Sequence, residues 1–348
     1  MYVTTDGPQD ERREKIFLIR RQPAILLLVV LTVFLHSPAL AQGLDMARWF
    51  GPDVGNRNIL TQYSLDIYPD ADVEGQDTDL GLLEHNFLLL APVWQNERNE
   101  LSITARVELQ DTDTDALLPR EGLPLPSQLW EVRVGAVYRR VVRGDWVWGV
   151  NASFGSASNE PFQAGDAFSG TAGGLLRIPH KKRNAWLFFL YFATNREFLN
   201  YVPLPGAGYW WEPSDKFRAV VGVPFASLLY EPIEKFSLDI RYFPVRNLRA
   251  KATYKVARFL NVFGGFDWRN QRYFRADRED NDERIYYYEK RVGGGLRQAL
   301  SKQVVLTFQG GWAFDRFYFE GDEYADRDEN MIAVADSAYG TVKIGARF

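Results

Sequence analysis

Apolar and polar residues alternate one for one in segment after segment of this chain. Leu101, Ile103, Ala105, Val107 and Leu109 share one face, and Ser102, Thr104, Arg106, Glu108 and Gln110 share the other. Leu248, Ala250, Ala252, Tyr254 and Val256 oppose Arg249, Lys251, Thr253 and Lys255 in the same way. Phe236, Leu238, Ile240 and Tyr242 oppose Ser237, Asp239 and Arg241. A period of two is the period of a β-strand, so each segment carries one greasy face and one charged face. The chain has no cysteine, so a fold of this size is held by hydrogen bonding and packing alone. A sandwich of two sheets alternates too, so the pattern fixes an all-β class before it fixes a surrounding.

The N-terminus reads as an export signal, which decides between those surroundings. Arg12, Arg13, Lys15, Arg20 and Arg21 precede the apolar run Ala24 to Leu35, and Ala39-Leu40-Ala41 supplies a small-residue cleavage site before Gln42. The run is about 12 residues, short of the ~20 that a spanning helix needs. The alternative is a short membrane anchor. No later segment is apolar for long enough to span a membrane as a helix. Trp, Tyr and Phe crowd near strand ends, as in an interfacial girdle.

Roughly 16 strands are expected, near 59–68, 82–94, 100–110, 127–140, 145–156, 167–178, 184–195, 206–212, 216–223, 225–230, 235–243, 247–257, 260–271, 284–298, 302–318 and 332–348. Segments 216–223 and 225–230 are shorter than the ~9–11 residues of a spanning strand, so counts down to 12 stay open. Connections after even-numbered strands are tight, and most after odd-numbered strands are long, the signature of short periplasmic turns and longer outer loops. Ala185 to Ala193 is apolar on both faces, which calls for something apolar inside the barrel beside it. Lys290 falls on the apolar face, which places it at an interface.

Two resemblances follow. The final segment, with Val342, Ile344, Ala346 and Phe348 alternating against Thr341, Lys343 and Arg347, resembles the C-terminal assembly signal of bacterial outer-membrane β-barrels. Phe348 would be the residue read by the barrel-assembly machinery. Trp211-Glu212-Pro213-Ser214-Asp215-Lys216-Phe217 repeats as Tyr230-Glu231-Pro232-Ile233-Glu234-Lys235-Phe236, about one hairpin apart. This block, about 205–270, resembles an uncharacterised domain-of-unknown-function family of predicted outer-membrane barrels. That likeness implies a fold and a location, and no reaction.

Charge is divided by position. The connections 69–81, 111–126, 275–284 and 320–329 are strongly acidic and share one rim. The expected inner face carries Arg106, Arg133, Arg139, Arg218, Arg241, Arg249, Lys251, Lys255, Arg269, Arg291, Arg297, Lys343 and Arg347. Its acids are Glu108, Glu131, Asp239, Asp267 and Glu289, so bases outnumber acids more than two to one. Charges are costly toward lipid and tolerated in a hydrated lumen. They either pair into a ladder that stiffens the wall or set up a positive lumen field.

Catalytic signatures are weak. His180 sits in a Lys-rich turn, and His85 lies beside Glu84 and Asn86 with no Gly-x-Ser-x-Gly element in the chain. Asp326-Arg327-Asp328-Glu329-Asn330 begins like a calcium loop, but Met331 stands at the required Gly and Ser337 at the closing Glu. Arg143-Gly144-Asp145 reads as a tight turn. Gly293-Gly294-Gly295 lies inside a strand and reads as close packing or a bulge. No zinc, nucleotide or nucleic-acid motif is present, and no cofactor is expected.

The expectation is therefore a signal peptide at 1–41, a periplasmic segment at 42–58 and a transmembrane antiparallel up-and-down β-barrel at 59–348, in the bacterial outer membrane. Its partners would be outer-membrane lipid, the assembly machinery, small polar solutes and divalent cations held loosely at the acidic rim. Passive passage of small polar, anionic solutes leads. A structural or surface-interaction barrel with a plugged lumen is second, and an outer-membrane hydrolase third.

Overall fold

A computed structural model describes residues 49–348 apart from 121, 164, 196–198, 244–246 and 279. The export signal and the start of the 42–58 segment lie outside the described residues.

The strands are β1 (Leu60–Asp72), β2 (Asp79–Asn96), β3 (Asn99–Asp113), β4 (Gln128–Val141), β5 (Val147–Ser158), β6 (Phe168–His180), β7 (Asn184–Ala193) and β8 (Leu204–Ser214). They continue as β9 (Phe217–Val223), β10 (Ala226–Ile233), β11 (Phe236–Phe243), β12 (Asn247–Ala257), β13 (Leu260–Tyr273), β14 (Arg284–Ala299), β15 (Val304–Gly321), β16 (Met331–Val334) and β17 (Ser337–Arg347). From β1 to β15 each strand pairs antiparallel with the next in sequence, β16 and β17 both pair antiparallel with β15, and β1 pairs with β17 from Leu60↔Arg347 to Ile67↔Gly340. The sheet is thus a closed barrel and leaves no open edge.

The segment 332–348, expected as one strand, is broken. β16 pairs with the far end of β15 (Arg316↔Val334), whereas β17 pairs with its near end (Ala313↔Ser337). At the break, the Ala335 N–H donates to the Asp72 carbonyl, which ties the kink to β1. Counting β16 and β17 as one interrupted strand gives sixteen around the ring. The short strands β9 and β10 are full members of it.

The internal repeat forms two equivalent hairpin turns. The β8–β9 and β10–β11 pairs each slip register at the same point, Trp211/Ser214 in one and Tyr230/Ile233 in the other. The Glu231 N–H donates to the Lys216 carbonyl and so links the two turns.

Wall height is uneven. β2 and β15 each have 18 residues, while β9 has 7 and β10 and β11 have 8. At ~3.3 Å per residue, β9 runs roughly 23 Å. The outer face is apolar along its length, with Ile103, Val134, Val150, Phe154, Leu190, Val221, Val292, Leu296, Phe308 and Val342 all exposed. Aromatic side chains ring its short-turn end. Trp94 stacks on Tyr138 and Tyr138 meets Trp148; Trp186 meets Tyr209; Trp211 and Phe217 meet, as do Phe217 and Tyr230. Lys290 is on this outer face, paired with Asp315 at a β-bulge and lying over Trp268.

At the long-connection end the tall walls close over their own core of Tyr68, Leu82, Leu129, Tyr273, Tyr287 and Tyr318, roofed by Leu118 and Leu125 from the β3–β4 connection. Here the barrel is pinched. The Phe274 N–H donates to the Ala157 carbonyl at 2.7 Å, which joins the end of β13 to the end of β5 across the ring.

Candidate functional site

The interior divides into a solid side and a wetted side. On the solid side, Arg269 of β13 reaches across the lumen to Glu84 of β2 at 2.9 Å and also binds Glu289 of β14. It donates to the Tyr68 hydroxyl of β1 at 3.1 Å. Arg291 contacts Asp66 at 3.2 Å and Asp267 at 3.5 Å. Thr341 donates to Asp66, Tyr287 to Glu289, and Gln271 to Glu84. Gln110 of β3 closes the span, donating to Gln271 and accepting from Tyr318. The Glu84 and Glu289 side chains are 0% exposed. Buried carboxylates of this kind persist only when paired and hydrogen-bonded. The assembly is a crossbeam that spans the arc of wall from β13 to β2 and β3, not a ladder between neighbouring strands.

The other side carries ion pairs that keep contact with water. Arg218 pairs with Glu212 at 3.2 Å, Arg241 with Asp239 at 2.5 Å and Arg249 with Asp267 at 2.8 Å. The Arg249 side chain is 50% exposed and that of Arg218 34%. Arg106, paired with Glu108, is half-exposed, and Arg133 pairs with Glu131 at 2.9 Å, so the wetted face extends to β3 and β4. Lys251, Lys255, Lys343 and Arg347 share this inward face by register and make no ion pair among the described residues. Arg297 faces inward on β14, opposite Thr307 and Asn261.

Residues 49–58 form a third part. They follow the inner wall near the short-turn end from β2 to β9. Arg57 pairs with Glu100 at 3.0 Å, and the Gly55 N–H donates to the same carboxylate. Gly55 has φ +77° and presses on the Asn96 carbonyl, a place no side chain fits. The Arg139 guanidinium, buried, donates to the Gly51 and Asp53 carbonyls, so this residue holds the segment and does not line open space. Phe50 then enters an apolar cluster of Leu175, Ala185, Leu187, Trp210, Val220 and Phe225, stacking on Phe225 at 5.0 Å. This is the apolar interior that the two-faced Ala185 to Ala193 segment required. Arg177 and Arg218 lie over the Trp210 ring.

The interior acids that sequence reasoning missed include Asp66, Glu84, Glu100, Glu212 and Glu320, and the bases include Arg57, Arg177, Arg275, Arg284 and Arg316. Gln62, Ser64 and Asp66 do alternate with Tyr63, Leu65 and Ile67, which is a usable signal. Glu84 had none, because Leu82, Leu83, Glu84, His85 and Asn86 carry no alternation. Phe50 was signalled only by Trp49-Phe50, an apolar pair in a polar stretch.

The rim differs from its sequence reading in one respect. Glu320 is buried and bidentate to Arg275, so it belongs to the interior. Among the described residues, no three carboxylates or imidazoles converge as a metal site. His85 accepts or donates a hydrogen bond at the Tyr63 hydroxyl, and His180 does so at the Tyr209 hydroxyl beside Trp186.

No family model matches the chain, so the resemblance of residues 205–270 to an uncharacterised family has no counterpart there, and no curated protein matches. Solved structures similar to the chain include the toluene transporter TodX of Pseudomonas putida. It is 10% identical with a TM-score of 0.39, covering 89% of this chain and 95% of that one. OccK7 of Pseudomonas aeruginosa is 11% identical with a TM-score of 0.37, covering 84% and 99%. The beta domain of the Bordetella autotransporter BrkA is 8% identical with a TM-score of 0.33, covering 84% and 100%. Likeness at this level carries no argument about a solute or a reaction.

Proposed function

We propose that the protein is an outer-membrane β-barrel that passes small polar solutes, anions in preference, along the wetted face of β3–β12. The observation that carries this reading is the exposure of inward ionised side chains there, with Arg249 at 50%, against the complete burial of the crossbeam carboxylates Glu84 and Glu289. A closed ring with an apolar outer face and an aromatic belt is the arrangement that a bilayer requires of strands. Phe348 extends the closing strand, its N–H donating to the Ile59 carbonyl, where the assembly machinery would meet it. The lysines without carboxylate partners leave the lumen field positive, and within about 8 Å at physiological salt that field selects among ions.

The second reading, a plugged structural barrel, is favoured by the pinch between β5 and β13 and by the inner hoop of residues 49–58. Single-channel recording of refolded protein separates the two. Wild type should conduct and prefer anions at low salt, with the preference fading as salt rises. Replacing Arg249, Lys251 and Lys255 together by Gln should shift the reversal potential toward cations. A cation-selective wild type would place the pathway elsewhere, and a silent one would leave the plugged barrel.

A further inference from the structure

The two ends of the barrel carry opposite charge. Four of the long connections are acidic, whereas each of the seven turns from β2–β3 to β14–β15 at the short-turn end carries at least one exposed basic residue. Four of these turns also hold an acid, Glu97, Asp145, Asp215 or Glu234. The β6–β7 turn is Lys181-Lys182-Arg183 and holds none. Arg183 reaches Asp215 of the β8–β9 turn at 2.6 Å. Lys181 and Lys182 are exposed and make no ion pair among the described residues.

The same corner of the wall turns a cation toward the lipid side. Tyr138 and Arg140 of β4 share the parity of the outward Val134, and Arg140 stands in register with Trp148 of β5. Arg140 is exposed and also makes no ion pair among the described residues. Arg143 follows on the β4–β5 turn. Register carries the patch from one turn to the other, because Val147 at the start of β5 lies opposite Arg177 near the end of β6. From β4 to β7 is three strand spacings, roughly 14 Å. Aromatic side chains fill the outer face between these cations. Tyr138 meets Trp148 at 5.3 Å, and Trp186 packs on Tyr209 at 4.7 Å. His180 shares a hydrogen bond with the Tyr209 hydroxyl at 2.8 Å.

A guanidinium on the lipid face persists where it reaches the headgroups, and the belt of Trp and Tyr marks that level. Bases gathered at that level attract anionic headgroups, over about one Debye length. We propose that the outer face of β4–β7, at its short-turn end, is a docking patch for an anionic phospholipid, with Arg140, Lys181 and Lys182 supplying the cations. The occupant is a lipid and not free phosphate, because the cations flank apolar aromatic faces that acyl chains cover. A zwitterionic lipid brings its own ammonium group, which the same cations repel. The acidic rim repels anionic lipid at the other end, so the preference belongs to the short-turn leaflet. The proposal is independent of conduction and rests on the reading that the apolar outer face meets a bilayer.

The test is native mass spectrometry of the refolded barrel in detergent, titrated with dioleoylphosphatidylglycerol or dioleoylphosphatidylcholine. Wild type should hold the glycerol lipid about tenfold or more tightly than the choline lipid, and the preference should fall as ammonium acetate is raised. The triple variant Arg140→Gln, Lys181→Gln, Lys182→Gln should lose most of that preference. Each single variant should lose part of it, which keeps the test if the triple variant does not refold. Lys235→Gln with Lys302→Gln, on other short turns, should bind as wild type does. Inorganic phosphate at the concentration of the lipid should not displace it. Equal binding of the two lipids by wild type, an undiminished preference in the triple variant, an equal loss in the Lys235 and Lys302 control, or displacement by phosphate overturns the patch. Insertion into phosphatidylcholine vesicles is read separately. A barrel that inserts but shows no lipid preference keeps the bilayer reading and loses the patch. A chain that does not insert loses both.

Discussion

The wall from β13 through β17 to β2 and the wall from β8 to β12 carry the same alternating pattern, yet their interiors differ. The first has strands of up to 18 residues, and its inward side chains meet one another across the ring. The second has strands of 7 to 11 residues, and its inward charges pair along the wall and stay wet. Strand length explains part of this. Tall strands lift Tyr273, Tyr287 and Tyr318 into a roofed core, while short strands end before any such layer. Glycine explains another part. Where β14 and β15 drop their inward side chains at Gly293, Gly295 and Gly311, the Tyr339 and Phe263 side chains take their place against the wall.

The comparison predicts its largest difference in stability. Arg269→Met strips the counter-charge from Glu84 and Glu289, both fully buried, and should cost about 3–5 kcal/mol in urea unfolding of the refolded barrel. Arg249→Met removes a half-exposed partner and should cost at most ~1 kcal/mol. Equal losses would mean that the two sides do not differ in how their charges are held.

A second experiment sharpens the boundary between solid and wet. Phe50→Ala removes the ring that anchors the inner hoop and should cost up to ~3 kcal/mol of burial. Unit conductance should rise as the segment loosens. Unchanged conductance together with the expected loss of stability would show that the hoop lines the wall without narrowing the path.

The smallest effect lies on the acidic rim, outside the membrane-spanning strands. Burial first, then the carboxylates of Asp280, Asp326 and Asp282, holds Asp322 above the usual carboxylate range. A raised carboxylate is penalised once ionised in the folded protein, so the penalty is present at pH 7 and fades as pH falls through its titration. Asp322→Asn should therefore raise the melting temperature slightly at pH 7 and less at pH 4. An equal gain at both values would tie the effect to packing and not to charge.

Much of the fold was legible because lipid and water sort alternate residues, so that parity along a strand names its face. That parity placed the strands, the short turns and the inward direction of Arg106, Arg249 and Lys251 before any coordinates. It failed where both faces are apolar or both polar, as around Glu84, and where one strand is broken, as at Ala335 and Asp336. Pairing across the lumen was not legible at all. Glu84 and Arg269 lie 185 positions apart, and no local pattern states which inward residues meet when a ring closes.

By itself, then, the chain determined an all-β class of roughly 16 strands, with counts down to about 12 open, each strand with an apolar face and a charged one, since these follow from alternation and turn spacing. Closure of the ring and the count of sixteen came from the structure. Only the tertiary structure decided which charges neutralise one another, that residues 49–58 occupy the inner wall, and that Lys251 and Lys343 make no ion pair among the described residues. Those outcomes depend on the curvature of the closed ring and on unequal strand heights, which bring together side chains from strands that are not neighbours.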